Sequence, residues 1–492
     1  MQFFGDHLLL LYFFCSLGLL IYGLNSYILI FFFLRRREES EENSRVLHKK
    51  YLARDLDDPI WPVVTTQIAI YNEYNVAERI IRAVAAMEYP RERHEIQVLD
   101  DSNDETVTIV DEVVSELEQN GYDIKVLRRT NRWGYKAGAL AEGLAASRGE
   151  LIAIFDSDFV PGVTFLREMV PHLLEDPEAG LVQARWGHLN ARESMLTLAQ
   201  AMGIDGHFIV EQSARSWGRL FLNFNGTAGL WRRQAIEDAG GWEADTLTED
   251  MDLSYRAQLA GWRIRYDPGV VVPAELPDTY TAFKAQQFRW AKGSIQTAIK
   301  ILPRVVASDF SLLAKVQAFF HLTHYAVHLM ILLMSLLAWP VLLSGVADLS
   351  PSFYMVLGGL ILAAFLGPNT LYLLAQWWVD RRGWAKKLLL LPLLMCLGLG
   401  VAVSNARAVL EALIGVKSAF IRTPKAGDVE KKVYRSRRTW VPWAEIGLGI
   451  YSGVTLFFYL EAGAWLIGPF LALYTTGYLA VGLSSLFESL RG

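Results

Sequence analysis

Asp156 and Asp158 close an apolar stretch that has the composition of a buried strand and runs from Leu151 to Phe155. Strands buried on both faces read as continuous apolar runs, and open α/β sheets bind ligands at the carboxyl ends of their strands. Two neighbouring carboxylates repel each other unless a cation lies between them. The pair therefore predicts a site for a divalent cation that also meets the phosphates of a ligand. A polar strand end at the surface is the alternative.

Polar side chains also follow the earlier predicted strands. Tyr71 and Glu73 come after the first strand, and Asp100 and Asp101 after the second, so we expect them at the same sheet edge. Lys136 opens a predicted helix, whose amino end favours an anion. Such a set suits a sugar nucleotide, because a metal ion and a cationic side chain can neutralise its diphosphate. Helix capping and ordinary surface charge are equal alternatives for Asp100, Asp101 and Lys136 taken singly.

A third set of candidate residues lies further along the chain. Asp250 ends a Thr-Glu-Asp motif, and Gln286, Arg289 and Trp290 follow at a spacing that puts the last three on one face of a helix. An arginine can bind a diphosphate through two hydrogen bonds, and an indole offers a flat apolar surface to a sugar ring. The alternative is an interfacial helix whose Trp and Arg lie at the level of lipid headgroups.

The segment from Trp61 to about Pro273 alternates strand and helix patterns. Apolar runs predict strands at 63–70, 95–99, 124–127, 151–155 and 181–184. Amphipathic runs predict helices at 76–87, 106–118, 136–147 and 165–174. This order predicts an α/β domain with a doubly wound, Rossmann-like parallel sheet. Because no G-x-G-x-x-G follows the first strand, we expect no dinucleotide cofactor.

The composition places part of the chain in lipid. Of the 492 residues, 52% are apolar, and the mean hydropathy is +0.22, which is high for a soluble domain. The formal net charge of −5 argues against nucleic acid as a partner, since nucleic-acid binding calls for a strongly basic surface. Cys15 and Cys396 lie in separate apolar stretches and predict neither a disulfide nor a metal site.

Apolar runs long enough to span a bilayer flank the α/β segment, and the run Val316 to Leu343 is one of them. Three arginines follow the first run, so the positive-inside rule places its carboxyl end in the cytoplasm. The predicted order is a transmembrane helix at 1–34, a juxtamembrane linker at 35–60, the α/β domain at 61–280, interfacial helices at 281–313, two spans within 314–379, an interfacial or re-entrant segment with a cytoplasmic loop at 380–440, and two spans with a short carboxyl terminus at 441–492. This predicts about five spans, with the amino end outside.

Four spaced motifs together resemble the family-2 glycosyltransferases, in particular the processive, membrane-embedded cellulose synthase and cellulose synthase-like group. They are Asp-Asp at 100–101, D-x-D at 156–158, Thr-Glu-Asp at 248–250 and Q-x-x-R-W at 286–290. Further stretches at 182–186, 207–212, 224–229 and 249–253 look closest to the mannan and glucomannan synthase branch. The resemblance implies a GT-A catalytic domain in the cytoplasm, joined to a helical membrane domain.

The resemblance also implies a role for each matching residue. Asp250 would be the general base of a single inverting displacement, and Asp156 and Asp158 would hold Mg²⁺ or Mn²⁺ with the diphosphate. Glu249 is an alternative base on sequence grounds. The implied contacts to the nucleotide sugar are Tyr71, Glu73, Asp100, Asp101, Lys136, Asp156, Gln286, Arg289 and Trp290. Thr423 and Lys425, in a gating-like loop, would also contact the nucleotide sugar. The implied contacts to the acceptor are Asn225, Gly226, Thr227 and Trp290.

The implied activity is transfer of hexose from GDP-mannose or UDP-glucose to a growing β-1,4-linked polysaccharide, which passes through the protein's own helices across a plasma or inner membrane. Asn225 stands where cellulose synthases carry a cysteine, which favours mannan-type chemistry. One alternative is a non-processive membrane glycosyltransferase that makes a glycolipid. A second is a transporter with a regulatory nucleotide-binding domain. Donor, linkage, oligomeric state and accessory subunits stay open at this point.

Overall fold

A computed structural model describes residues 2–343, 351–417 and 439–491. The chain begins with one long helix, α1 (Gln2–Leu52). The first part of the predicted juxtamembrane linker continues this helix as far as Leu52, because the stretch contains no Gly or Pro and its charges pair along the helix, as Arg37 does with Glu41. The end of α1 packs on the α/β domain, where the Tyr51 hydroxyl donates to Glu175 at 2.8 Å.

A seven-stranded sheet forms the centre of the α/β domain, in the order β3-β2-β1-β4-β6-β5-β7. The strands are β1 (Val64–Ile70), β2 (His94–Asp100), β3 (Asp123–Leu127), β4 (Leu151–Asp156), β5 (Ala179–His188), β6 (Gly229–Arg232) and β7 (Arg263–Ala274). The five predicted strands are confirmed as β1 to β5. The α/β sheet is confirmed as well, and the stretch 151–155 lies in its buried centre.

The prediction of a wholly parallel sheet is wrong at β6. This strand runs antiparallel to both of its neighbours, with Gly229 opposite Ile154 and Arg232 opposite Leu151. The chain thus enters β6 at the carboxyl edge of the other strands, after it has crossed the strand tips with Asn225 and Gly226. A strand that enters the sheet from the carboxyl edge of its neighbours must run antiparallel to them.

Helices cover both faces of the sheet and lead to the membrane helices. They are α2 (Ala77–Ala85), α3 (Thr106–Gln119), α4 (Tyr135–Ala146), α5 (Phe165–Glu175), α6 (Met195–Asp205), α7 (Ser213–Trp217), α8 (Arg233–Asp238) and α9 (Glu249–Leu259). The four predicted helices correspond to α2 to α5. A π-helical turn, Gly206–Gln212, joins α6 to α7, and a short 3-10 turn, Arg91–Arg93, precedes β2.

The remaining helices form a long apolar assembly. They are α10 (Tyr280–Ala307), α11 (Leu312–Thr323), α12 (Ala326–Leu343), α13 (Pro351–Val379), α14 (Leu391–Gly400), α15 (Ala402–Leu413), α16 (Val441–Glu461) and α17 (Gly468–Arg491), with a 3-10 turn, Trp384–Leu390, before α14. Among the described residues, five helices are long and apolar enough to cross a membrane: α1, α12, α13, α16 and α17. The segment Trp384–Gly400 and α15 meet at 41° and add a sixth span if they count as one. The chain is therefore a multi-pass membrane protein.

The predicted span from Val316 to Leu343 is divided in two. Helix α11 ends at Thr323 and α12 begins at Ala326. Helix α11 also buries polar groups against the catalytic domain, since the Tyr255 hydroxyl and His321 Nδ1 lie 2.8 Å apart.

Candidate active site

Most of the predicted site residues meet in one cavity of about 190 Å³ at the carboxyl edge of the sheet, which we call the donor cavity. Its walls include Tyr71, Glu73, Asp101, Lys136, Asp156, Asp158, Asn225, Gly226, Asp250, Gln286, Arg289 and Trp290. They come from the tips of β1, β2 and β4, from the start of α4 and α9, and from α10. The gating-like loop with Thr423 and Lys425 lies outside the described residues.

Lys136 ties two parts of the donor cavity together. It forms an ion pair with Asp156 and donates to the Gly226 carbonyl oxygen at 2.7 Å. Burial opposes its charge, but Asp156 and the nearby Glu249 outweigh that effect and raise the pKa of Lys136 above its ordinary value. The ammonium group therefore stays charged at the edge where an anionic ligand would lie.

Asp250 lies in the first turn of α9, directly behind the Gly226 loop. Burial, and then the charge of Glu249 beside it, raise the pKa of Asp250 to about 7. Gly226 has a φ of +82°, and a Cβ added there would lie 3.0 Å from Asp250 Oδ2. Glycine is thus required at this turn both for its backbone conformation and for the close approach of the carboxylate. A carboxylate with a pKa near neutrality is suited to general base catalysis.

The Q-x-x-R-W residues project from α10 and line the donor cavity opposite the strand tips. Burial lowers the pKa of the Arg289 guanidinium, and it lies among the charges of Glu249 and Asp156. The Trp290 ring lies 6.4 Å from the Trp186 ring, centroid to centroid, so the two indoles form one aromatic wall. This arrangement offers a cation to phosphate oxygens and flat apolar surfaces to a sugar.

Two arginines that the sequence analysis missed lie at one end of the donor cavity, where Arg132 lines it and Arg129 binds Asp101 behind it. Arg129 Nε donates to Asp101 Oδ1 at 2.9 Å, and the Arg132 guanidinium lies 3.2 Å from the centroid of the Tyr71 ring. Both arginines follow β3, whose tip reaches the same edge as β1 and β2. Their position just after a predicted strand was the signal that could have identified them.

Two predicted contact residues do not line the donor cavity. The Asp100 carboxylate is buried and accepts hydrogen bonds from Arg128 Nε at 2.8 Å and from the Ser102 N–H at 3.0 Å. The Thr227 hydroxyl is also buried and accepts the Asp156 N–H at 2.9 Å. Both lie at the carboxyl edge of the sheet and hold the loops behind the cavity, because their polar groups are already used by the protein.

Asn225 belongs to a buried polar network beneath the cavity. Its Oδ1 accepts from Gln212 Nε2 at 3.1 Å and lies 3.2 Å from His207 Nε2. His207 Nδ1 is in turn 2.9 Å from Glu211 Oε2, and Glu211 pairs with Arg215 at 3.0 Å. The network fixes the orientation of the amide, so Asn225 presents a defined set of hydrogen-bonding groups to whatever lies in the cavity.

Asp156 and Asp158 offer oxygen donors that fit a hard divalent cation such as Mg²⁺ or Mn²⁺. They lie in the turn after β4, where Asp158 is 6% exposed and the Asp156 side chain is 36% exposed. The residue between them, Ser157, donates its hydroxyl hydrogen bond to Glu73, which orients this turn against the tip of β1. The donor set therefore agrees with the predicted metal site.

A Rossmann-like sheet whose strand tips combine these carboxylates and cations defines a glycosyltransferase of the GT-A class. In agreement, residues 62–293 match the family model described as "Glycosyltransferase like family 2". The match confirms the resemblance to the family-2 glycosyltransferases and the assignment as an enzyme.

Similar proteins are plant glucomannan 4-beta-mannosyltransferases. Glucomannan 4-beta-mannosyltransferase 1 from Cyamopsis tetragonoloba is 43% identical over 276 residues, which cover 54% of this chain and 52% of that protein. Glucomannan 4-beta-mannosyltransferase 2 from Arabidopsis thaliana is 44% identical over 256 residues, which cover 51% of this chain and 48% of that protein. The matched region spans about half the length of these relatives. Among solved structures, a mannosyltransferase from Pyrobaculum calidifontis in complex with GDP-Man and Mn²⁺ aligns with a TM-score of 0.47 and 20% identity, over 80% of this chain and 99% of that one.

Proposed function

We propose that the protein is a processive, inverting mannosyltransferase that extends a β-1,4-linked mannan or glucomannan with mannose from GDP-mannose. The motifs of the mannan synthase type and the names of the plant relatives support the choice of sugar. UDP-glucose is the competing donor. The proposal covers the activity of the whole chain, of which the family match accounts for residues 62–293.

In the proposed reaction the acceptor hydroxyl attacks the anomeric carbon, and Asp250 takes the hydroxyl proton. Its raised pKa makes the carboxylate a stronger base than an ordinary aspartate, while about half of the molecules still carry it ionised at pH 7. Arg289 binds the departing diphosphate, and the indole of Trp290 positions the acceptor sugar. Asp156 and Asp158 would hold a divalent cation, which supplies neutralising charge to the diphosphate when bound.

The main support for processive activity is a second cavity, which we call the membrane cavity. It has a volume of about 590 Å³ and shares Trp186, Asn225, Asp250, Gln286 and Trp290 with the donor cavity. From there it extends between the membrane helices, past residues such as Tyr22, Asn25, His324, Asn369 and Tyr372. A space that begins at the proposed base and continues among membrane helices supports a path for the polymer, which a glycolipid-forming enzyme does not require.

The proposed orientation places the catalytic domain in the cytoplasm. Three arginines follow the apolar part of α1, and this helix continues into the α/β domain. The remaining proposed units are interfacial helices at 281–313, spans within 314–379 and 441–492, and an interfacial segment at 380–440. The plasma membrane or a bacterial inner membrane fits this topology.

The test uses full-length protein in lipid with Mg²⁺ or Mn²⁺, and offers GDP-mannose and UDP-glucose separately. The proposal expects a long product from GDP-mannose that β-mannanase digests and β-glucanase does not. A polymer made from UDP-glucose alone would overturn the choice of donor, and a short lipid-linked product would overturn processivity.

Asp158→Ala tests the metal role in the same preparation. Loss of one carboxylate should abolish the part of nucleotide binding that depends on the divalent cation, measured by calorimetry with GDP in the presence and absence of Mn²⁺. Nucleotide binding with unchanged Mn²⁺ dependence would contradict the role assigned to this residue.

A further inference from the structure

A second cluster of metal-ligand types lies where α1, α5 and β7 meet. His48 Nε2 is 3.0 Å from Asp267 Oδ2, and His172 Nε2 is 2.7 Å from the same oxygen. The three side chains are 16%, 7% and 0% exposed, and they come from distant parts of the chain. They are not among the residues that line the donor cavity or the membrane cavity.

Hydrogen bonds within the cluster do not satisfy all of its polar atoms. His48 Nε2 is buried and, within the described part of the chain, has no partner with hydrogen-bond geometry. Asp267 Oδ1 accepts the Gly269 N–H at 2.8 Å, which leaves Oδ2 facing both imidazoles. A buried ring nitrogen that points at a carboxylate without a good hydrogen bond is costly, and a metal ion bound between the three groups would satisfy it.

We propose that His48, His172 and Asp267 form a structural site for Zn²⁺. Their ligand atoms all lie within 4.8 Å of one another. Zinc binds imidazole nitrogen and carboxylate oxygen at about 2.0–2.2 Å, so two ligands of a tetrahedral site lie about 3.3 Å apart. The two imidazole-to-carboxylate distances, 3.0 and 2.7 Å, are slightly shorter than this spacing, so binding would move these side chains a little apart. Two imidazole ligands favour zinc over Mg²⁺ and Mn²⁺, which prefer oxygen.

In this proposal Glu168, whose Oε2 accepts the Thr164 hydroxyl hydrogen bond at 3.2 Å, rotates to become the fourth ligand. It lies on α5 four residues before His172, so both side chains are on the same face of the helix. Glu168 also interacts electrostatically with His48 and Asp267. Two carboxylates and two neutral imidazoles balance the charge of a dication, and four protein ligands make the closed coordination of a structural zinc site.

The site would fasten the first membrane helix to the catalytic domain. His48 is in the last turns of α1, next to the contact of Lys50 and Tyr51 with Glu175. His172 is on α5 and Asp267 is on β7, so one ion would bridge three elements. The bound metal would thereby stabilise the orientation of the catalytic domain under α1.

The test is made on the full chain in detergent, stripped with a chelator and then supplied with Zn²⁺ in the presence of excess Mg²⁺. Metal content after removal of free ions should be about one Zn²⁺ per chain, and Co²⁺ should give the absorption of a tetrahedral site. Thermal unfolding should shift to higher temperature with Zn²⁺, because the ion binds the folded state. The Asp158→Ala variant should keep this zinc, which separates the site from the donor cavity.

His172→Gln and Asp267→Asn should lose the bound zinc, the cobalt absorption and the thermal shift. The matched control is His94→Gln, since His94 is also buried and lies 2.9 Å from the Thr66 hydroxyl at a distance from this cluster. Glu168→Gln should weaken zinc binding at least tenfold. Absence of zinc and of a thermal shift in the unmodified chain, or equal zinc binding by the His172 and His94 variants, would overturn the proposal.

Discussion

The donor cavity and the membrane cavity meet at Asp250 and Trp290 but are built differently. The donor cavity gathers charged groups at strand tips, such as Lys136 with Asp156. The membrane cavity is lined mainly by rings, amides and apolar groups on helices, with the Glu211–Arg215 pair near its start. The difference suits the first cavity to a charged nucleotide and the second to an uncharged sugar chain. Changes in the first should therefore stop the chemistry, and changes in the second should shorten the product.

The largest effect is expected from Asp250→Asn. The amide keeps the size of the side chain but cannot accept the acceptor proton, so the turnover rate should fall about 10²- to 10⁴-fold. Nucleotide binding, measured by calorimetry, should stay within about twofold of the unmodified protein. Retained turnover would show that Asp250 is not the base and would direct attention to Glu249.

A block in the membrane cavity should separate product length from chemistry. Gly398 lines this cavity, and a Cβ added there meets no atom within 4 Å. Gly398→Trp should therefore fill the path without backbone strain, and gel filtration should show a polymer several-fold shorter. Transfer of the first sugar to a short acceptor should continue at close to the normal rate.

The control for this block is Gly447→Trp. Gly447 is exposed on α16, has the same free space at its Cβ position, and is not among the residues that line the membrane cavity. Its product should keep full length. If both variants shorten the polymer equally, the membrane cavity is not the path, and the contrast between the two cavities fails.

The pH dependence should report the base in the donor cavity. Because Asp250 acts when ionised and its pKa is raised to about 7, kcat/KM should rise as the pH increases through 7 and level off above it. Below pH 7 the rate should fall about tenfold per pH unit. Glu249→Gln removes the neighbouring negative charge, so it should shift the midpoint to lower pH. A profile that is flat from pH 5 to 9 would contradict the assignment.

The contrast between the two cavities also explains what the sequence could predict. The run that ends at Asp156 is apolar without interruption, so a buried strand with carboxylates at its tip followed directly from local sequence. The sequence likewise placed Asp101 after a predicted strand and Lys136 at the start of a predicted helix. Parallel strand ends meet at one edge, which is why residues far apart in the chain could be grouped.

Tertiary packing decided the remaining features. Nothing in the local pattern shows that β6 runs antiparallel, or that Gly226 thereby comes close to Asp250. The contact of His321 on α11 with Tyr255 joins residues 66 positions apart. The cluster of His48, His172 and Asp267 likewise needs three elements in place. Contacts of this kind have no period or spacing in the sequence.

The smallest effect is expected from Arg132→Ala in the donor cavity. The Tyr71 ring holds the Arg132 guanidinium at the proposed nucleotide end, where one exposed positive charge near a phosphate is worth roughly 1 kcal/mol. GDP affinity should therefore fall about fivefold, with kcat unchanged because the reacting atoms lie elsewhere. Arg91→Ala removes a similar pair, with Arg91 4.3 Å from the Tyr122 ring and outside the lining of the donor cavity, and should leave GDP affinity unchanged. Equal losses in both variants would mean that net charge, and not the Arg132–Tyr71 contact, governs binding at this end of the site.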